Sequence, residues 1–469
     1  MGLTIRFGTD GWRGVMDEDF TIDGVKLVAQ AIADYIKSRG LARSGVVVGY
    51  DARRNSEKYA EACVEVLAGN GITSYLVKRD TPTPVVAFGV TRLRAAGAMM
   101  ITASHNPPKY NGIKFIPHYG GPALTEVTRE IEQLISKAEV KSMSIDEAKK
   151  RGLVVEVDFK EEYIEWILSL VDVDVIRRAK LRVVADPLNG SARGYLDEVL
   201  RRAGCDVKCI HCDRDPNFRG LMPDPTTPEV LNDLASSIQG FDIGLATDGD
   251  GDRASAYSES FISPNMLYPI LLKHMLNKGV KGGVVRTVAT THMVDEVAAR
   301  HGLKLYEVPV GFKNIAPYLL MGEAVIGGEE SGGFGYKWHI PEKDGIITCL
   351  YVVEALALSG RRRIEELIDE IKKEYKLLHS VRGQVSIDRP DRLKMALMSL
   401  EVGEIEGFKV KEICRIDGAK FITDEGWLLI RPSGTEPLAR VYAEAEDIKV
   451  AEKMLKWGLR KAEEISRSC

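Results

Sequence analysis

Three stretches of the chain repeat one layout, and that repetition limits the fold more than any other feature. They are GVVVGYDARRNSEKYAEACVEVLAGNGITSYLV from Gly45, LRVVADPLNGSARGYLDEVLRRAGCDVKCI from Leu181 and GGVVRTVATTHMVDEVAARHGLKLYEVPV from Gly282. Each opens on a β-branched run, crosses a polar loop, continues with apolar residues at helical spacing and turns at glycine into a second strand. That is a βαβ unit three times over. Another short apolar run follows each unit and ends in a polar loop: GAMMITASHNPPKYNGIKF, FDIGLATDGDGDRASAY and EAVIGGEESGGFGYKWH. Open α/β sheets bind ligands beyond the carboxyl ends of their strands, so three like units offer three corresponding loops to one cleft. After about residue 370 the pattern changes to GQVSI, DRLKMALMSL, FKVKEICRI, GWLLIRPSGTEP and a final amphipathic helix, which reads as a smaller α+β unit.

The loops carry the chemistry. In TDGDGDR, Asp248, Asp250 and Asp252 alternate with glycine. Extended geometry sends them to one side, and three carboxylates that repel one another call for a cation with a taste for hard oxygen: Mg²⁺, Mn²⁺ or Ca²⁺. A calcium-binding helix–loop–helix is disfavoured, because Arg253 stands where that loop needs glycine and FDIGLA reads as a strand. Ser104 follows the strand AMMI in a loop rich in donors: His105, Asn106, Lys109 and Lys114. It is a candidate nucleophile, although a hydroxyl at a strand end is often only structural. GGEESGG presents Glu329, Glu330 and Ser331, suited to sugar hydroxyls, and VPVGFKN puts Lys313 on a turn as a candidate cation for a phosphoryl group. RPSGTEP combines a guanidinium, two hydroxyls and freed backbone, which suits a phosphate or carboxylate. A hydroxyl nucleophile, a carboxylate cluster, a sugar loop and an anion loop together fit phosphoryl transfer. There is no nucleophile elbow, Walker A sequence or dinucleotide fingerprint.

The chain has 469 residues, 45% hydrophobic and 28% charged, with a formal net charge of −4, so it needs several cores and shows no basic excess for nucleic acid. No apolar run is long enough to span a bilayer, and the N-terminus lacks a signal-peptide pattern; the expected compartment is the cytoplasm. Seven scattered cysteines argue against a disulfide framework. Within CDVKCIHC, an extended chain would send Cys209 and His211 to one face and Cys212 to the other, which disfavours zinc.

TASHNPPKYNGIK, TDGDGDR, GEESGG and RPSGTEP, in this order and preceded by FGTDGWRG, resemble the α-D-phosphohexomutase family over essentially the whole chain. The resemblance implies an α/β fold of four domains around a central cleft. Three would be related α/β domains with mixed sheets (1–150, 151–256 and 257–370), and the fourth a smaller α+β domain (371–469). It implies that Ser104 carries the phosphoryl group and that Asp248, Asp250 and Asp252 bind Mg²⁺ with a phosphoserine oxygen. Arg13, His105, Lys114 and Arg253 match positions that move a proton or stabilise the phosphoryl group. Glu329 and Ser331 match the sugar loop, and Arg431, Ser433, Gly434 and Thr435 match the loop that holds the phosphate that is not reacting. The implied reaction interconverts hexose 1-phosphate and hexose 6-phosphate through a hexose 1,6-bisphosphate. VPVGFKN and EESGGFGYKWHIPEKDGI resemble glucose-phosphate mutases more than phosphoglucosamine mutases, and mannose phosphates, which differ only at C2, stay open as well; a phosphoglucosamine mutase or a phosphopentomutase is the alternative, and a metal-dependent sugar phosphatase a more distant one. The implied partners are small sugar phosphates, with neither nucleic acid nor membrane, and the oligomeric state is left open.

Overall fold

The computed structural model describes residues 5, 7, 11–387, 389–433 and 437–468. Its strands form four sheets, and the three repeats each build one of the first three in the same way. In the first repeat, Val46–Tyr50 pairs parallel with Ser74–Val77 on one side and with Gly97–Ile101 on the other, and the antiparallel Tyr110–Pro117 lies beyond. Arg182–Asp186 is flanked likewise by Asp206–Cys209 and Ile243–Thr247, then by antiparallel Ala254–Tyr257. In the third, Gly283–Thr287 lies between Leu305–Val308 and Ala324–Gly328, with antiparallel Phe334–Tyr336 outside. The first strand is central and its residues are fully buried in all but one position, which is why the sequence shows continuous apolar runs instead of alternation.

The sheets run on past the repeats. Trp12–Val15 adds to one edge of the first sheet, and Val154–Val157 pairs parallel with Ser74–Val77 at the other. The second sheet takes in Phe261–Ile262. The fourth sheet is antiparallel throughout, from His379–Ser386 through Leu438–Ala445 to Glu404–Ile405, and the helices Pro390–Ser399 and Ile448–Ser468 pack on it.

The cores divide unequally. One contiguous apolar cluster runs through the first three sheets and their helices, whereas the C-terminal sheet encloses its own, around Leu393, Phe421, Leu428, Val441 and Met454. A small cluster, Val288 and Ala289 against Trp427, Leu429 and Tyr442, joins the two. Among the described residues no helix is long and apolar enough to cross a membrane.

One expectation fails. Cys209 and Cys212 do not face apart: the strand ends at Cys209, His211 takes a left-handed φ of 50°, and the two sulfurs form a disulfide across a Cα–Cα separation of 6.1 Å. The alternation rule applies only to a chain that stays extended, and this one turns back.

Candidate active site

The polar loops that follow the third strand of each repeat meet in one place. Ser104, buried and left-handed at φ 50°, donates its hydroxyl to Asp248 Oδ2 at 2.7 Å, and its Oγ lies 3.4 Å from His105 Nδ1. Its conformation is held by the preceding strand end, where Thr102 Oγ1 accepts from the Ser104 N–H at 2.8 Å. The approach of the two loops demands glycine: a Cβ at Gly249 would stand 2.7 Å from the Ser104 carbonyl oxygen.

Beneath the loop lies Arg53, fully buried. Its guanidinium donates to the carbonyl oxygens of Ser104 and Asn106 at 2.6 Å each, Pro107 at 2.9 Å and Tyr110 at 3.0 Å, while Asp51 balances its charge at 3.2 Å. One planar cation thus ties four otherwise irregular carbonyls together.

Asp248, Asp250 and Asp252 are fully buried, with carboxylate oxygens within 4.8 Å of one another. They converge through a turn, closed by Gly251 N–H to Asp248 O at 3.1 Å with Gly251 at φ +75°, rather than through the extended chain expected. Asp248 Oδ1 accepts from the backbone of Asp252 and Arg253 at 2.9 and 3.1 Å. Lys114 Nζ sits 2.9 Å from Asp250 and 3.1 Å from Asp252, and Lys343 Nζ lies 3.0 Å from Asp252. Two helix starts face the loop: Thr83 donates its N–H and hydroxyl to Asp250, and Gly345 N–H reaches Gly251 O at 3.1 Å. Their positive ends ease the crowding of carboxylates.

Burial, then repulsion from Asp252 and Asp250, drives the Asp248 carboxyl well above its usual range. Burial pushes Asp250 up as well, but Lys114 and the Thr83 hydrogen bond outweigh it and hold that group well below the carboxylate range. Among the described residues, Asp250 Oδ1 and Asp252 Oδ1 are buried without a hydrogen-bond partner. Buried oxygens left open in a hard, all-carboxylate set fit a divalent cation such as Mg²⁺, and three carboxylates so close favour one.

Around this centre the cations gather. Arg13, on the strand Trp12–Val15, donates to Asn106 Oδ1 at 2.8 Å, and Arg253 Nε lies 3.9 Å from both Asp248 and Asp252. Burial and the charges of Arg253, Arg13 and Arg440 hold His105 well below the ordinary imidazole range, so the ring is neutral at pH 7. Lys114 shows the contrary: burial lowers it, but Asp250 and Asp252 outweigh that and raise it, so it stays charged.

The third loop closes over the second. Ala254 N–H donates to Gly332 O at 2.9 Å, and a Cβ at Gly332 would meet Ala254 O at 2.5 Å. Glu329 Oε1 accepts from Gly311 N–H at 2.9 Å, which fixes the VPVGFKN turn, and Ser331 is half-buried beside it. Lys313 borders a cavity of about 560 Å³ between Leu124–Glu126 and Tyr306–Glu323. From the C-terminal sheet come Arg431, whose Nε donates to Asp417 Oδ2 at 2.9 Å, and its register partner Arg440. Asp417 Oδ2 also accepts from Val310 N–H at 3.2 Å, so one carboxylate links Arg431 to the VPVGFKN turn. Ser433 N–H donates to Leu438 O at 2.8 Å; Gly434 and Thr435 lie outside the described residues.

The structure therefore joins Ser104, His105, Arg13, Lys114, Arg253 and the Asp cluster, and places Glu329 and Ser331 on the loop that covers them. Sequence reasoning passes over Arg53, Thr83, Lys343 and Arg440. Only Lys343 carries a signal, as a lysine just before the helix-capping aspartate of PEKDGI.

Comparison with known proteins agrees over the full length. The family Phosphoglucomutase/phosphomannomutase matches by its alpha/beta/alpha domain I at residues 4–142, domain II at 161–260, domain III at 263–375 and C-terminal domain at 384–456. A phosphoglucomutase/phosphomannomutase of Thermococcus kodakarensis is 33% identical over 467 residues, 98% of each chain. A phosphoglucosamine/phosphogalactosamine mutase of Sulfurisphaera tokodaii is 29% identical over 460 residues, 96% of this chain and 97% of that one. The crystal structure of a phosphomannomutase candidate from Thermus thermophilus superposes with a TM-score of 0.86 at 31% identity, covering 99% of this chain and 100% of the other. With four domains matched in order and a relative this similar end to end, the chain belongs to the phosphoglucomutase/phosphomannomutase family of phosphohexose mutases.

Proposed function

We propose that the protein interconverts hexose 1-phosphate and hexose 6-phosphate, of glucose or mannose, by passing a phosphoryl group through Ser104. The observation that carries this reading is the buried Ser104 hydroxyl 2.7 Å from Asp248, inside a carboxylate set with open oxygens. Asp248, Asp250 and Asp252 would hold Mg²⁺, with an oxygen of phosphorylated Ser104 beside them. When bound, the ion supplies Lewis-acid stabilisation of the phosphoryl oxygens.

The chain's own groups divide the remaining work. A sugar hydroxyl that attacks phosphorylated Ser104 forms a new P–O bond and gives up its proton, while the bond to Ser104 Oγ breaks. Neutral His105 has a lone pair to take the proton; Lys114 stays charged and, with the guanidinium groups of Arg13 and Arg253 beside it, stabilises the phosphoryl oxygens. The hexose 1,6-bisphosphate that results turns over and returns its other phosphate to Ser104. Glu329 and Ser331 would accept sugar hydroxyls, with Lys313 at the rim. Arg431, Ser433, Gly434 and Thr435 would hold the idle phosphate. The seat of this chemistry beneath three loops limits loss of the phosphoryl group to water. The reading places the enzyme in the cytoplasm, where sugar phosphates are its partners.

A panel of glucose, mannose, glucosamine and pentose 1-phosphates, each with catalytic bisphosphate, tests this by kcat/KM. Glucose or mannose phosphate is expected to lead. The Sulfurisphaera relative favours glucosamine phosphate as the competing substrate, and its lead would overturn the sugar assignment. Release of free phosphate without isomer would point to a phosphatase.

A further inference from the structure

The CIHC segment stands outside the reaction, yet it is tied to the metal loop. His211, left-handed between the two cysteines, places its Nδ1 2.8 Å from Asp186 Oδ1, and its carbonyl accepts from Asn189 N–H at 3.1 Å. Asp186 Oδ1 also accepts from Leu188 N–H at 2.9 Å, and Asn189 Nδ2 donates to Asp213 O at 2.9 Å. These bonds clasp the chain after Cys209 to the loop 187–191, where Leu188 and Asn189 are themselves left-handed at φ 48° and 58°. That loop ends on the metal site: Ser191 donates its N–H and hydroxyl to Gly249 O at 3.0 and 3.2 Å. A Cβ at Gly190 would stand 2.6 Å from the same oxygen. Gly249 separates Asp248 from Asp250.

We propose that Cys209 and Cys212 form a reversible thiol–disulfide site whose closed state stiffens the metal loop and strengthens its hold on a divalent cation. Both residues are only half-buried and so open to exchange, unlike the buried Cys63, Cys205 and Cys349. A two-residue spacing at a strand end is that of dithiols which cycle in reducing compartments. In the oxidising direction, a small-molecule disulfide of the glutathione class is reduced to two thiols. Cys209 and Cys212 each lose a proton and together give up two electrons as their S–S bond forms. The reverse consumes two thiols. Closure pins His211 in its left-handed turn, and with it the clasp on loop 187–191; opening frees that turn, and the support behind Gly249 weakens.

The proposal rests on the assignment of Asp248, Asp250 and Asp252 to the cation, and its test needs no sugar phosphate. Wild-type protein is equilibrated with reduced or oxidised glutathione, alkylated and mapped by mass spectrometry. Mg²⁺ binding is then measured by calorimetry in each state. The expected result is an intramolecular Cys209–Cys212 bond in the oxidised sample only, with Mg²⁺ held about tenfold more weakly in the reduced one, at the low end for residues that support metal ligands. Cys209→Ser and Cys212→Ser are expected to bind Mg²⁺ as reduced wild type does in both buffers. Failure of the pair to form, or equal Mg²⁺ affinity in the two states, overturns the proposal and leaves the metal assignment standing. Absence of Mg²⁺ binding in both states overturns both.

Discussion

The two ends of the site are built differently. Where Ser104 meets the Asp loop, nearly every group is buried, the approaches require glycine, and the surrounding apolar core is continuous across three sheets. Arg431 and Arg440 instead belong to a sheet with a separate core, joined to the rest by a small apolar cluster and a few polar bridges such as Asp417 to Val310 and Lys420 to Glu307. The contrast suits the proposed task. The atoms that exchange a phosphoryl group must be fixed and dry, because preorganised charge acts strongly only where water is excluded. On the proposed reading, the group that holds the idle phosphate would have to accept either end of a sugar that turns over between half-reactions, which suits a unit with fewer ties. Few ties give a low cost of local opening.

Breaking the rigid end should cost most. Ser104→Ala is expected to lower kcat by roughly 10⁴-fold or more, on the order seen when a covalent nucleophile is removed, while calorimetry finds sugar phosphate binding unchanged. Asp250→Asn, which keeps the shape but not the charge, should abolish Mg²⁺ binding by calorimetry and lower kcat about a thousandfold, the equivalent of a few kcal/mol of lost charge stabilisation. At the other end the signature should change. Arg431→Gln is expected to raise KM for both monophosphates by about tenfold to a hundredfold, the worth of a hydrogen bond to a charged group, with a smaller fall in kcat. A thousandfold fall in kcat with KM unchanged would erase the distinction between the two ends.

The smallest effect concerns the joint itself. Burial, with the Arg286 charge, lowers Lys420 from its usual 10.5 to about 8, despite Glu307 at 2.8 Å. A base depressed in the folded state carries its full penalty below pH 8, where both states are protonated. The penalty fades as pH rises from 8 towards 10.5, where the unfolded chain binds more protons. Wild type should therefore gain stability relative to Lys420→Met between pH 8 and pH 10, by on the order of 1 kcal/mol, in paired thermal unfolding curves. Parallel curves would mean that the joint does not feel this charge.

How much of this is legible in the sequence follows the same division. The repeats are readable because central parallel strands are covered on both faces and so read as unbroken apolar runs. TDGDGDR is readable because its three carboxylates lie within five residues. Arg53 is not: its partners are the carbonyls of residues 104, 106, 107 and 110, which share no side-chain pattern with YDARRN. Thr83, Lys343 and Arg440 reach the site from a helix start, another loop and a strand, so only the fold brings them there. The pairing of Cys209 with Cys212 escapes the alternation rule because His211, a residue with a Cβ, adopts the left-handed turn more typical of glycine.

The central claim is that Ser104 carries the phosphoryl group between the two ends of the sugar. Dephosphorylated enzyme mixed with Mg²⁺ and labelled hexose 1,6-bisphosphate, quenched within one turnover and digested, tests it by mass spectrometry. The label should appear on Ser104 in step with release of hexose monophosphate, and pass back to the sugar when unlabelled monophosphate is added. Label found on another residue, or only as free phosphate, would contradict it.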